Sequence, residues 1–361
     1  MSTKLLVRKF IITLIFVSIC KVALSENVIE DKNISSASGT QQIFTVNDKT
    51  LTISNNATLS VGQKSVIADN RSGVTVTVNV GSEINTITND NAIVGKSSTN
   101  LTVNNSGKIY SEAAKAISFR KSSGANVSNN AGAIIYAARN TISGNTDDTE
   151  NATITNSGTI YSTDASTNTI IFHAASTGNS IVNNTGGEIY TEGTGTTIKL
   201  GASSTLTNSG TIKTGSVSSN AINAAGSNNT ITLKDDGKII GIISSASGTT
   251  GNKLQMQHGF GQGYFYETSG DFTLEDLDGN QVVKGSAGSV GQGGSETLDE
   301  LLGYKSLNIR KSLNRYKKSK SFIEGKDSWG EAYVSNLKRK ENNNNLAIGY
   351  DHKTFGINLI N

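Results

Sequence analysis

The chain has 361 residues, of which 35 % are hydrophobic and 6 % aromatic, with 38 Gly and no Pro. That is thin for a compact globular core, while the many β-branched residues set among Gly, Asn, Ser and Thr point to a repetitive β architecture rather than to disorder. The net charge of +3 is too small to point to a polyanion partner, so nucleic-acid binding has no support in it.

The first segment reads as an address. Lys4, Arg8 and Lys9 precede the apolar run Phe10 to Ile19, and Ala23-Leu24-Ser25 places small residues before a cut. This order predicts a secretory signal peptide over residues 1–25, because the apolar run is too short to span a bilayer. Cys20 is the one cysteine and falls inside it, so the mature chain is expected to carry no disulfide.

Residues 26–252 read as a repeat. Leu101-Thr102-Val103-Asn104-Asn105-Ser106-Gly107-Lys108-Ile109-Tyr110 has close copies at Ala152 to Tyr161 and Thr205 to Ile212. Weaker copies lie at Val127 to Tyr136, Ile181 to Tyr190, Ile231 to Ile240, Val78 to Ile84 and Ile53 to Leu59. With turns placed at Ala57, Gly81, Gly107, Gly132, Gly158, Gly187, Gly210 and Asp236 or Gly237, the period is about 25 residues. Each copy holds an alternating Thr/Val/Ile/Leu run, an Asn-Ser-Gly turn that tolerates positive φ, a second run such as Lys108 to Ser111, and a third apolar group such as Ala116 to Phe119. Three short strands per period match one coil of a parallel β-helix, and a propeller blade needs a longer repeat. About eight coils are expected. Asn105, Asn130, Asn156, Asn184 and Asn208 are expected to stack into a side-chain ladder between coils.

Residues 253–295 change character. Gln257 to Tyr266 is rich in Gly and aromatics, Thr273 to Val283 reads as a hairpin around Asp278-Gly279-Asn280 that caps the β-helix, and Gly285 to Ser295 is a Gly/Ser linker. Thr297-Leu298-Asp299-Glu300 is a capping box that opens a helix over residues 296–322, with Leu298, Leu301, Leu302, Leu313 and Tyr316 at near-helical spacing and Arg310, Lys311, Arg315, Lys317 and Lys318 at its far end. Residues 323–361 read as membrane strands: Trp329 to Lys338, then Leu346 to Asp351 and Phe355 to Ile360, with the polar turn Arg339 to Asn345 between the first two.

A signal peptide, Asn-Ser-Gly coils, a basic helix and then Trp329-Gly330-Glu331-Ala332-Tyr333, followed by Gly349-Tyr350-Asp351 and Phe355-Gly356, together resemble the monomeric autotransporter family of type V secretion. The resemblance covers nearly the whole chain. The fold it implies is all-β: a parallel β-helix as passenger, a short α-helix, and the first strands of an incomplete outer-membrane β-barrel. It also implies that the helix occupies the lumen of a barrel of about a dozen strands, that the passenger is carried outward through it, and that outer-membrane assembly machinery and lipid are partners of the complete barrel. The expected place is the outer membrane and cell surface of a Gram-negative bacterium. Two or three strands cannot close a barrel, and family members end on an aromatic residue where this chain ends at Asn361, so a truncated sequence is expected. Asn308 and Asn314 stand apart where the family shows an Asn-Asn pair, and autocatalytic release is not expected.

Chemistry has little to stand on. Ala287-Gly288-Ser289-Val290-Gly291 misses a nucleophile elbow by one residue, and His173, His258 and His352 lie in different elements. Asp147-Asp148 and Asp235-Asp236 are isolated acidic pairs. No catalytic, cofactor-binding or metal site is expected, and the chain is expected not to be an enzyme. The favoured function is a repetitive surface passenger for adhesion or presentation, with an unknown surface ligand. A β-helical polysaccharide-degrading enzyme, which a face-by-face map of carboxylates discriminates, and a trimeric autotransporter adhesin are the alternatives.

Overall fold

The computed structural model describes residues 24–145, 149–259, 264–280, 282–284, 289–290, 293–320, 329–339 and 350–360. The residues up to 23, which carry most of the expected signal peptide and Cys20, lie outside them, as do Asp147 and Asp148. The fold is all-β, built on a parallel β-solenoid of about nine turns. It runs further than the spelled repeats, from Ser25–Val28 to Thr273–Asp276.

Three parallel sheets form its sides. The short-strand sheet has eleven strands, from Ser25–Val28 to Thr268–Ser269. The threonine sheet also has eleven, from Lys32–Ile34 to Thr273–Asp276, and the tyrosine sheet has eight, from Thr58–Val61 to Lys238–Ile240. Alternation within each strand sends one set of side chains inward: Leu51, Val76, Val103, Ile154, Leu206 and Ile231 from the threonine sheet, and Leu59, Ile84, Ile109, Ile135, Ile160, Ile189 and Ile212 from the tyrosine sheet, all essentially inaccessible. Strict parallel register, as in Val103↔Val127 and Ile109↔Ile135, stacks like on like along the axis. A chain with few apolar residues thereby fills a narrow core completely, since each coil supplies only a handful of inward positions.

The asparagine ladder exists, with two of its five members displaced. Nδ2 of Asn105 donates to Oδ1 of Asn129, and the same 2.8 Å bond runs from Asn129 to Asn156, Asn156 to Asn183 and Asn183 to Asn208. Asn129 and Asn183, not Asn130 and Asn184, are in register with Asn105 and Asn156. The reason is turn length. Ser106-Gly107, Ser157-Gly158 and Ser209-Gly210 are tight turns, whereas Asn130–Ala133 and Asn184–Gly187 are longer ones. Positive φ belongs to the longer turns, at Gly132 and Gly186, while Gly107 and Gly158 serve close packing instead: a Cβ there stands 2.5 Å from Asn79 O or Asn130 O of the coil before. The displaced residues tie the two turn types together, Asn130 Nδ2 donating to Ser106 Oγ at 2.8 Å and Asn184 Nδ2 to Ser157 Oγ at 2.9 Å.

The C-terminal end departs from the expected hairpin. Thr273–Asp276 pairs in parallel with Lys253–Met256 and continues the solenoid. Asp276 then folds the chain back locally, its Oδ1 accepting from the amides of Asp278 (2.9 Å) and Asn280 (3.1 Å). The antiparallel pairing at this end joins Phe265–Tyr266 to Ser289–Val290, and Ser289–Val290 to Val283–Lys284. The helix spans Gly293–Lys320, so Thr297 lies in its second turn rather than at its cap. Its more covered stripe is Leu301, Tyr304, Asn308 and Ser312, and Leu302 and Leu313 face outward, because residues spaced three and four apart share a face and those two fall off it. Among the described residues no helix is long and apolar enough to cross a membrane.

Trp329–Arg339 and Tyr350–Ile360 form an antiparallel pair of eleven residues each. Phe355 to Ile360 is therefore the second half of the second strand, not a third strand, since Asp351 to Thr354 stay in register with Ser335 to Lys338. Leu346 to Gly349 lie outside the described residues.

Candidate functional site

The outward positions of the solenoid are its functional surface, and each sheet presents a different chemistry. On the threonine sheet, Thr50/Thr52, Thr75/Thr77, Thr153/Thr155, Thr205/Thr207 and Thr230/Thr232 flank the inward Leu51, Val76, Ile154, Leu206 and Ile231. Register aligns them into two ranks of hydroxyls, with Asn126/Ser128 and Ser180/Val182 in the same positions. Neighbours along each rank are about 4.8 Å apart.

The tyrosine sheet carries a continuous aromatic stack. Tyr110, Tyr136, Tyr161 and Tyr190 occupy one outward column, with ring centroids 4.8, 5.0 and 4.9 Å apart and planes within 10° of parallel. A cation closes one end, Lys213 Nζ standing 4.6 Å from the Tyr190 centroid, while Lys108 Nζ lies beside the stack, 4.5 Å from the Tyr110 centroid and 5.2 Å from that of Tyr136. The faces between the rings and the outer face of Tyr190 are thus occupied, and edges and hydroxyls are most of what the stack offers to solvent. Burial of the phenols against one another, then the Tyr110 and Tyr161 neighbours and the Glu112 and Glu83 carboxylates, push the Tyr136 hydroxyl up to about 12. Burial likewise raises Tyr110, Tyr161 and Tyr190, so the row stays protonated at neutral pH. The sequence signal was a Tyr two places after Lys108, Ile134, Thr159 and Glu188, the first residues of four strands of one sheet; it becomes legible as a column only once register is known.

The three histidines are separate. His173 is exposed, its Nδ1 accepting from the Ala175 amide at 3.2 Å. His352 lies on the C-terminal strand pair, 2.6 Å from Thr354 Oγ1. His258 belongs to a packed group at the C-terminal end of the solenoid: Nδ1 is 2.6 Å from Asp235 O, and Nε2 is 2.6 Å from the Tyr266 hydroxyl. Since a carbonyl only accepts, Nδ1 carries the proton and Tyr266 donates to Nε2. Beside it Tyr264 donates to Asp276 Oδ2 at 2.7 Å, and the three rings lie 5.3 to 5.9 Å apart. Burial lowers the His258 pKa, with the Asp235 carbonyl and the Asp276, Asp278 and Asp235 carboxylates opposing. Asp235 accepts from Ser209 Oγ at 3.0 Å. Ser289 and Val290 of the near-elbow lie in the short antiparallel sheet, and Ala287, Gly288 and Gly291 are outside the described residues. Among the described residues no three His, Cys, Asp or Glu side chains are placed to hold a metal ion.

No protein-family model, curated protein or solved structure matches the chain.

Proposed function

We infer that the chain is an exported surface passenger of autotransporter type, a rigid rod that presents repeated side chains for adhesion. The observation that carries this reading is the order of elements, a parallel solenoid followed by a helix and a pair of eleven-residue antiparallel strands, the length a membrane-crossing strand needs. The strand pair has a two-sided character that fits a bilayer. Ala332, Val334, Phe355 and Ile357 share one face, with Val334 85 % and Phe355 84 % exposed, and that face ends in Asn336, Lys353 and the Lys338–Asp351 ion pair at 3.6 Å. The apolar part is the side we assign to lipid, the polar end to the interface. On the other face Tyr333 lies across Gly356, whose hypothetical Cβ stands 2.6 Å from the tyrosine hydroxyl, a pairing that fills the gap a strand glycine leaves.

The solenoid suits presentation because ranks of identical groups multiply weak contacts. A hydrolytic role fits the carboxylates of the tyrosine sheet poorly. Glu83 and Glu188 share a column four rungs apart, roughly 19 Å, and Glu188 and Glu192 are four strand residues apart, roughly 13 Å, whereas paired glycosidase carboxylates sit within about 10 Å.

Export is tested by expressing the full chain in a Gram-negative host and sequencing the N-terminus of material outside the cytoplasm. We expect it to begin at Glu26, which leaves Glu26–Val28 to pair with Gln42–Phe44. Protein confined to the cytoplasm with Met1 retained overturns the reading.

A further inference from the structure

The net charge of +3 conceals a segregation by face. Glu83, Glu112, Glu188 and Glu192 act on the tyrosine stack. A group of cations instead surrounds the outer side of the short-strand sheet. There Ser97 N donates to Arg120 O at 2.9 Å and Gly95 N to Ser118 O at 2.8 Å, which sets Lys96 beside Arg120 in adjacent coils on one flank. On the other flank Arg139 N donates to Ala114 O at 3.0 Å, setting Arg139 beside Lys115. Between the flanks run Ser118 and Ser143, paired in register. Both face outward, because Ile117 and Ile142 beside them point into the core and Gly144 lies between the core rings of Phe119 and Phe172.

Two features mark this frame as more than solvated surface. Ser118 and Ser143 are 2 % and 0 % exposed although they face outward, in a column whose next members Val94 and Ile171 are covered too, and Ser143 Oγ has no hydrogen-bond partner. Among the described residues none of the four cations is held in an ion pair; the Asp69 carboxylate beside Lys96 accepts from its backbone amide at 2.7 Å, and Asp164 in the coil after Arg139 is near enough to feel that cation. Arg120 and Arg139 are close enough to Lys115 that, after burial, they are what depresses its pKa. Like charges assembled over an unpartnered hydroxyl are an arrangement that an anion stabilises.

We propose that this frame binds an acidic polysaccharide, with sulfate or carboxylate groups held by Lys96 and Arg120 on one flank and by Lys115 and Arg139 on the other, and sugar hydroxyls over the Ser118–Ser143 strip. The four cations are spread over three adjacent coils, with Lys96 in one, Lys115 and Arg120 in the next and Arg139 in the third, which suits charges carried at intervals along a polymer rather than one small anion. Nucleic acid fits less well: base recognition draws on open aromatic faces, and the stacked tyrosines lie on another sheet with most of their faces turned to one another. The site is read from coil geometry and stands whether or not the chain is exported.

The test uses the full chain at low ionic strength with four probes: heparin oligosaccharide, polygalacturonate, neutral dextran and duplex DNA. Both acidic polysaccharides should bind, and the paired substitutions Lys96→Gln with Arg120→Gln, or Lys115→Gln with Arg139→Gln, should each weaken binding by about tenfold or more. Lys108→Gln with Lys213→Gln removes the same charge from the tyrosine sheet and should change it less than about twofold. Circular dichroism checks each variant; the exposed pair Lys96 and Arg120 decides the matter if the Lys115 variant fails to fold. Failure of both acidic polysaccharides to bind overturns the proposal. So does equal binding of dextran or DNA, or a control that loses as much as the frame variants.

Discussion

Asn129 Nδ2 donates to Asn156 Oδ1 at 2.8 Å, and both residues are essentially inaccessible, so this bond lies inside the solenoid wall. Asn156 also donates to Asn183 Oδ1 at 2.8 Å and to Glu188 O at 3.1 Å. Replacing Asn156 with Ala leaves Asn183 Oδ1 without its donor and the Gly158 amide without its acceptor, whereas the Asn129 amide keeps Ala133 O and Thr159 O. At about 1–3 kcal/mol for each buried group left unpaired, the expected loss is about 2–5 kcal/mol, read as a lower midpoint in denaturant. A change under about 0.5 kcal/mol would show that the ladder is incidental to the rod.

The ladder ends where the sequence stops supplying asparagine: its column continues as Val78 on one side of Asn105 and Leu233 beyond Asn208. The inner wall therefore accepts an apolar residue of similar size once both ladder partners are absent. Substituting Asn208, the terminal member, with Leu should cost less than Asn156→Leu by at least about 1 kcal/mol, because the Asn183 amide keeps Gly187 O and Thr211 O as acceptors, whereas Asn156→Leu orphans Asn183 Oδ1 and the Gly158 amide. Paired melts of the two variants check this order.

Gly144 sits between Phe119 and Phe172, and a Cβ there comes 2.9 Å from one ring and 3.0 Å from the other. The rings are 6.1 Å apart, the glycine's gap closed by aromatic contact. Gly144→Ala should therefore destabilise the solenoid by about 1–3 kcal/mol through overpacking, although alanine is acceptable to a strand elsewhere. Phe172→Leu in the same chain should restore part of that loss, which a double-mutant cycle measures.

Much of this wall was legible because period and alternation are properties of the chain itself. Val103, Val127, Ile154 and Leu206 announce their facing by their spacing, and Asn105, Asn156 and Asn208 by the Asn-Ser-Gly that follows. The pattern points to Asn130 and Asn184 instead of Asn129 and Asn183 because the glycine two places after them marks a different position in a longer turn, and turn length is a property of how coils nest. The Gly144 gap, the tyrosine stack and the contact between His258 and Tyr266 depend on register between residues 8 to 53 positions apart, which no local pattern encodes. Thr273 to Val283 was misread as a hairpin for a related reason: Asp278-Gly279 is turn chemistry, and what it joins depends on the coil below.

The tyrosine stack separates ring from hydroxyl. Tyr136 stacks on Tyr110 at 4.8 Å and on Tyr161 at 5.0 Å. Tyr136→Ala should lose both contacts, about 1–3 kcal/mol at about 0.5–1.5 kcal/mol per aromatic pair, while Tyr136→Phe keeps the rings and should stay within about 0.5 kcal/mol of the parent. Near-ultraviolet circular dichroism provides a second readout, since the coupled tyrosine signal should fall in the alanine variant alone.

His258 makes the C-terminal end sensitive to acid. Burial holds its pKa below the ordinary value of about 6.5 that it regains on unfolding. The unfolded chain therefore takes up the proton first as pH falls. Stability from this group is fully present above the unfolded pKa and is lost as pH drops from there through the lowered folded value. Geometry gives the same direction: a protonated Nε2 becomes a donor, so Tyr266 has to stop donating to it at 2.6 Å and turn toward Gly237 O, now 3.3 Å away. The opening equilibrium at Tyr264 to Asn280, read from hydrogen exchange corrected for its intrinsic slowing in acid, should rise between about pH 7 and pH 5. His258→Gln, which has no charge to gain, should flatten that rise without changing exchange at the asparagine ladder. Equal acid sensitivity in the variant would assign the effect to the surrounding carboxylates Asp235, Asp276 and Asp278 instead.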